Sequence, residues 1–294
     1  MNGYNSWELK ILKVNNIFKE NDLEIIIATM NRNSLDFLFP MFPFSHFSNF
    51  TILIINQTDE SNLLESNYSS VRVINSFEKG ISKSRNLGIK NAVKQIILIA
   101  DDDVVFIDDF QNNIINTYNE NRIASAICFQ TITKEGNLYS KYPKKTDELN
   151  NKQLRKVLSI ELTFILGDIK YENCMFNEFF GLGSKFQDSE TYFFLKKIKK
   201  RGLKIGFSPK NIVIHESFSS SDEASSDRII YARMAGFYKI YGIIAYLFLF
   251  KYMFFLVRKY SFSFSQIRKK FSVGISGIKD YKLILNNKLD SRYE

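Results

Sequence analysis

The sequence predicts an α/β protein built on a doubly wound, mostly parallel sheet with helices on both faces. Three observations carry this. Short apolar, β-branched runs recur without polar alternation, as in strands buried on both sides. Helical stretches fall between them at strand–helix–strand spacing. Polar or acidic clusters follow directly on the apolar runs, where sheets of this kind form their ligand-binding loops.

Leu23–Ala28 (LEIIIA) reads as the first strand and runs into Thr29-Met30-Asn31-Arg32. Thr51–Asn56, Val71–Ile74 and Gln95–Ala100 are the next three, Ile123–Phe129 is the fifth, and Leu203–Phe207 with Ile212–His215 add one or two more. Helices are expected over Ile81–Lys94, Asp108–Asn119 and Ser189–Lys200. The last of these ends in lysines followed by Gly202, a stop signal that the helix dipole favours. Thr133–Lys156 is polar and lysine-rich and reads as a mobile surface loop.

The chain has 294 residues, 45% hydrophobic and 24% charged, which excludes wholesale disorder. Cys128 and Cys174 cannot frame a disulfide scaffold and fit no zinc spacing, so they read as small buried hydrophobes. The opening MNGYNSWELK lacks the basic-then-apolar pattern of a signal peptide, and a cytoplasmic setting is expected.

The net charge of +9 is unevenly placed. Residues 226–294 hold 13 basic and 4 acidic residues, and residues 1–225 hold 27 of each. A neutral body of residues 1–225 with a basic helical region over 226–294 follows, and a body that binds nucleic acid is disfavoured. Ile240–Val257 is apolar except for Lys251. It is short of the roughly 20 residues that a spanning helix needs. On a continuous helix Arg233, Lys251 and Arg258 fall near one line. That favours a helix lying in the membrane interface, its cations toward anionic headgroups. A core helix packed on the body and a true membrane span are the alternatives.

Asp101-Asp102-Asp103 closes the fourth apolar run. Three adjacent carboxylates repel unless a cation neutralises them. Oxygen ligands with room left for phosphate oxygens suit Mg²⁺ or Mn²⁺. The plainer reading is an acidic helix N-terminus. One helix earlier stands Gly80-Ile81-Ser82-Lys83-Ser84-Arg85-Asn86-Leu87-Gly88. The form G-x-S-x-x-R-N-x-G-I, then an apolar strand and D-D-D, resembles the family 2 glycosyltransferases of GT-A fold. Ile27–Arg32 is similar to that family's opening strand and loop, usually P-T-x-N-R, with Ala28 where Pro is common. Phe176–Gly183 resembles its F-D-E-x-F-G-x-G segment, and Gln187-Asp188 stands where the family has Glu-Asp before a helix.

This resemblance covers residues 23 to about 216 and implies an enzyme. It would move a sugar from a nucleoside-diphosphate sugar, UDP being the commonest base, to an acceptor hydroxyl with inversion. It assigns the catalytic base to Asp188, with Glu190 the alternative and a helix cap the structural reading. The metal, Mn²⁺ or Mg²⁺, falls to Asp103 with Asp101, and His215 after the last strand is a further candidate ligand. Thr29, Asn31, Arg32, Asp59, Lys83, Arg85, Asn86, Asp101 and Asp102 are the expected nucleotide-site residues. The basic, aromatic tail suggests a lipid-linked or polysaccharide acceptor and peripheral attachment at the cytoplasmic face of the membrane. The rival is an inactive scaffold that keeps the fold, for which Gln187 speaks and the intact aspartates do not. A P-loop kinase and a Rossmann dehydrogenase are disfavoured, since neither glycine signature is present.

Overall fold

Successive side chains of a strand point to opposite faces, so an unbroken apolar run must be covered on both. In the computed structural model, which describes residues 17–144, 148–216, 224–260 and 262–292, this is how the first strand is used. The opening MNGYNSWELK lies outside the described residues. Ile25 and Ile27 join one apolar layer with Phe42, Phe47, Phe106 and Phe110. Ile26 joins the other, with Ile89, Phe194, Leu195 and Ile198.

The chain divides into two compact units. Met1–Lys79, Lys83–Phe176 and Thr191–Ser217 form the first, and Gly80–Ser82, Asn177–Glu190 and Phe218–Glu294 the second. In the first, eight strands among the described residues form one sheet. They are β1 (Leu23–Met30), β2 (Ile52–Gln57), β3 (Val71–Ser76), β4 (Ile96–Asp101), β5 (Val105–Phe106), β6 (Ala126–Ile132), β7 (Leu162–Ile165) and β8 (Ile205–Ile214). Their order is β3-β2-β1-β4-β7-β6-β8-β5. β1, β2, β3 and β4 pair in parallel, as do β6 and β8. β7 runs antiparallel to both its neighbours, and β5 antiparallel to β8. The sheet is therefore mostly parallel and GT-A-like, as expected. Helices α1 (Ile81–Asn91), α2 (Phe110–Glu120) and α3 (Glu190–Lys200) follow the anticipated spans closely.

One open point is decided and one detail differs. Of the one or two strands expected over Leu203–Phe207 and Ile212–His215 there is one, β8, over Ile205–Ile214. Pro209 sits where the register with β6 shifts, the place a residue without an N–H is tolerated in a sheet. The stretch 133–156 is not simply a surface loop. Asn150 caps a short helical turn, Asn151–Leu154, and Leu149 and Leu154 are buried in the second apolar layer. Residues 145–147 of that stretch lie outside the described ones.

In the second unit, α4 (Asp227–Tyr241), α5 (Ala245–Tyr260) and α6 (Phe264–Asn286) share a core of Ile230, Met234, Leu249, Met253, Leu256 and Ile278. α4 and α6 approach closely at Gly277, where a methyl group would lie 2.2 Å from the Tyr231 carbonyl oxygen. The segment Asp227–Tyr260 is long and apolar enough to cross a membrane by length and composition alone. It is not one straight helix. Gly242 takes a positive φ of 58° and a short 3₁₀ turn separates α4 from α5. The expected line of Arg233, Lys251 and Arg258 is broken there, and Arg233 turns to another partner.

Candidate active site

The strand ends of the first unit carry three charged pairs. β1 places Thr29 and Arg32 beside β4's last residues, because the two strands are paired in register from Leu23↔Ile96 to Ala28↔Asp101. Thr29 Oγ1 donates to Asp102 Oδ2. Arg32 reaches the same oxygen with Nη2 at 2.8 Å and Nε at 3.0 Å. Asn31 takes a left-handed φ of 54°, and its N–H donates to Gln57 O at 2.9 Å. Buried Asn56 holds the loop from below, accepting from Arg32 N at 3.1 Å and donating to Arg32 O at 3.0 Å. The sequence reading gave Asn56 no role. Its signal was a polar residue ending an apolar strand.

Asp101 pairs with Arg85 of α1, Nη2 to Oδ1 at 2.9 Å. Arg85 is only 2% exposed, so its charge depends on that carboxylate and on the Phe176 ring 5.5 Å from its guanidinium. Asp103 instead meets His215, Oδ1 to Nε2 at 3.5 Å. The sheet brings them together: β5, two residues after Asp103, pairs with the end of β8, one residue before His215. The neighbouring ring lowers the Asp103 carboxyl below its usual range, and Asp103 raises the His215 imidazole.

Three expected nucleotide-site residues are engaged elsewhere. Asn86 is buried and spends its amide on the Phe176 backbone, donating at 3.0 Å and accepting at 2.7 Å. Lys83 bridges to Glu78. Asp59 accepts from Ser61 N at 2.9 Å in an exposed turn, and hydrogen bonds from Ser61 lower its carboxyl.

The carboxylate–imidazole pair suits a divalent cation, since it offers one oxygen and one nitrogen ligand and leaves other positions to phosphate oxygens and water. Among the described residues no three His, Cys, Asp or Glu side chains gather into a metal cluster, so Asp101 does not complete a triad with Asp103 and His215.

In the second unit the glycine-rich segments fit each other. Ser82 Oγ donates to Phe180 O at 2.6 Å, and Ile81 N to Leu182 O at 2.9 Å. Gly181 has a φ of 104°, and a methyl group there would lie 2.6 Å from the Ile81 side chain. Asp188 follows on the same segment. Its Oδ2 accepts from Ser189 Oγ at 3.2 Å and from Arg233 Nε at 3.1 Å. Arg228 Nη1 donates to the Gln187 carbonyl at 3.0 Å. The sequence reading sent Arg233 toward lipid headgroups. The packing of α4 gives it Asp188 as its partner.

A mostly parallel α/β sheet with a carboxylate cluster at its strand ends has the architecture of a nucleotide-sugar glycosyltransferase. Residues 25–181 match the model for glycosyl transferase family 2, and the chain belongs to that family. It is a glycosyltransferase. Among solved structures, S. aureus TarS 1-349 superposes with a TM-score of 0.52 at 10% identity, over 90% of this chain and 91% of that one. TarS 1-349 in complex with UDP-GlcNAc gives 0.54 at 14% identity, over 88% and 80%. These likenesses bear on the fold. No curated protein matches in sequence.

Proposed function

We propose that this enzyme transfers a sugar from a UDP-sugar to an acceptor hydroxyl with inversion, aided by Mn²⁺ or Mg²⁺. The observation that carries it is the meeting of Asp103 and His215 at 3.5 Å beside the Arg85–Asp101 pair, at the strand ends of a family 2 chain. Asp103 and His215 would hold the cation, which when bound supplies Lewis-acid stabilisation to the departing diphosphate. Arg32, fixed by Asp102, presents positive charge for the donor's phosphates, while buried Arg85 holds Asp101 in place at the strand end. Thr29 and Asn31 shape the loop that the nucleotide meets. A UDP base is supported by the likeness to a protein solved with UDP-GlcNAc.

Asp188 acts as general base, taking the acceptor hydroxyl proton as the oxygen attacks opposite the leaving diphosphate. Such attack inverts the anomeric carbon and needs no covalent intermediate. Two groups keep the Asp188 carboxylate oriented, Ser189 and Arg233.

The acceptor is a saccharide carried on a lipid, as in the assembly of bacterial surface polysaccharide, and the enzyme sits peripherally on the cytoplasmic face. What supports this is the outer face of α5. Leu247, Phe250, Phe254 and Val257 are exposed along one stripe that continues from Ile243, with Lys251 and Arg258 on one flank. Apolar insertion with flanking cations is the pattern of an interfacial helix on an anionic surface.

The test is a thermal-shift titration with UDP, dTDP and GDP, each with Mn²⁺, with Mg²⁺ and with chelator, on wild type and Asp103→Ala. A ligand that binds only the folded state raises the melting temperature. A metal-dependent shift with UDP that is lost in Asp103→Ala supports the reading. A shift confined to another nucleotide overturns the UDP assignment, and no shift with any overturns the donor site.

A further inference from the structure

Asp188 does not stand alone in its unit. Arg233, on the second turn of α4, gives Nε to Asp188 Oδ2 at 3.1 Å and Nη1 to the Tyr252 hydroxyl at 3.1 Å. Tyr252 in turn donates to the Ala224 carbonyl at 2.8 Å, at the entry to α4. The chain of bonds therefore runs from the carboxylate through one guanidinium to a phenol on α5 and back to the backbone of the same unit. Every hydrogen-bonding role is consistent: the guanidinium only donates, the carboxylate only accepts, and the phenol accepts once and donates once.

A planar guanidinium with two fixed donors can hold a carboxylate in one rotamer while another group fixes the guanidinium. The Arg233 side chain is about one-third exposed and that of Asp188 about one-quarter, so the pair is neither sealed in the core nor free in water. A pair intended only for stability would contribute little in such a place. Its geometric consequence is larger, since it sets where the Asp188 oxygens point.

We propose that Arg233 is a positioning residue for Asp188, and that Tyr252 is its buttress on α5. The proposal rests on the assignment of Asp188 as the base, made above. It gives the basic C-terminal helices a part in the chemistry as well as in attachment. Tyr252 lies on α5 opposite the exposed stripe of Phe250 and Phe254, so one helix carries both the buttress and the apolar face.

The experiment measures UDP release from UDP-GlcNAc, UDP-glucose and UDP-galactose, with water as the acceptor, on the full chain. The variants are Asp188→Asn, Arg233→Met, Arg233→Lys and Tyr252→Phe. Arg233→Met is expected to lower kcat by about 10- to 100-fold, the scale of a displaced catalytic group, with KM for the donor unchanged. Arg233→Lys restores part of kcat, because a lysine keeps the charge but cannot hold Asp188 and Tyr252 together. Tyr252→Phe gives a smaller loss of the same kind. A loss of folding alone would lower the melting temperature and the active fraction, which a thermal melt and active-site titration of each variant read separately from kcat. If Asp188→Asn keeps the wild-type rate, or wild type releases no UDP from any donor, the underlying reading fails. If Asp188→Asn is inactive while Arg233→Met keeps full kcat, or if Arg233→Met changes KM alone, the positioning role is overturned.

Discussion

His215 Nε2 lies 3.5 Å from Asp103 Oδ1, although one follows the last strand and the other the fourth. The pairing of β5 with β8 makes the contact, so each residue's role should depend on the other. His215→Ala should abolish the Mn²⁺-dependent part of the UDP thermal shift and leave any metal-independent part. A calorimetric titration of Mn²⁺ in the presence of UDP checks this. Undiminished metal binding in both His215→Ala and Asp103→Ala would remove the pair from the site.

Arg85 and Asp101 form a second test. Removing Asp101 leaves a buried guanidinium without its carboxylate, which typically costs about 3–5 kcal/mol. Asp101→Asn should therefore lower stability in urea melts by more than Asp103→Asn, whose carboxylate is exposed. Equal effects would mean that the Arg85 charge is held by other groups.

Glu161 makes stability depend on pH. It is buried, and desolvation raises its carboxyl from 4.5 to about 7 despite hydrogen bonds from Tyr142, Leu158 and Thr131. Between those values the unfolded chain has lost the proton and the folded chain keeps it. Its contribution is therefore fully present below pH 4.5, falls as pH rises to about 7, and is flat above. The loss is on the order of 3 kcal/mol. In Glu161→Gln the fall across this window should flatten, whatever the absolute stability. Chemical denaturation at several pH values measures it, and an unchanged slope would assign the dependence to other groups.

Gly277 tests the packing of the second unit. With the Tyr231 carbonyl 2.2 Å from where a methyl would stand, Gly277→Ala must push α4 and α6 apart. A destabilisation of about 1–3 kcal/mol is expected, the range of an overpacked core. Gly167→Ala, in the short helix Leu166–Tyr171, is the control for general effects of glycine replacement, because nothing lies within 4 Å of its added methyl. A loss at Gly277 no greater than at Gly167 would contradict the close approach.

The apolar stripe of α5 predicts membrane binding. Wild type should sediment with vesicles containing anionic lipid, more weakly with neutral ones. Phe250→Ser with Phe254→Ser should release it, and Lys251→Gln with Arg258→Gln should reduce the preference for anionic vesicles. Wild-type protein that stays in the supernatant with every vesicle would direct attention to a second copy of the chain as the cover for this face.

Sequence alone determined the parallel strands and the three long helices of the first unit, because buried parallel strands are written as unbroken β-branched runs such as Leu23–Ala28. It also singled out Asp103, His215 and Asp188 as candidates, since each closes or opens an element whose ends are legible. It missed β5 and β7, whose two and four residues are too few to show a period, and it left open whether Leu203–Phe207 and Ile212–His215 make one strand or two. Only the tertiary structure paired Asp103 with His215, committed Asn86 to the Phe176 backbone and turned Arg233 from a presumed lipid contact to Asp188. Strand pairing and helix packing decided these contacts. Both arise from packing between residues distant in the chain, which no local pattern of residues records.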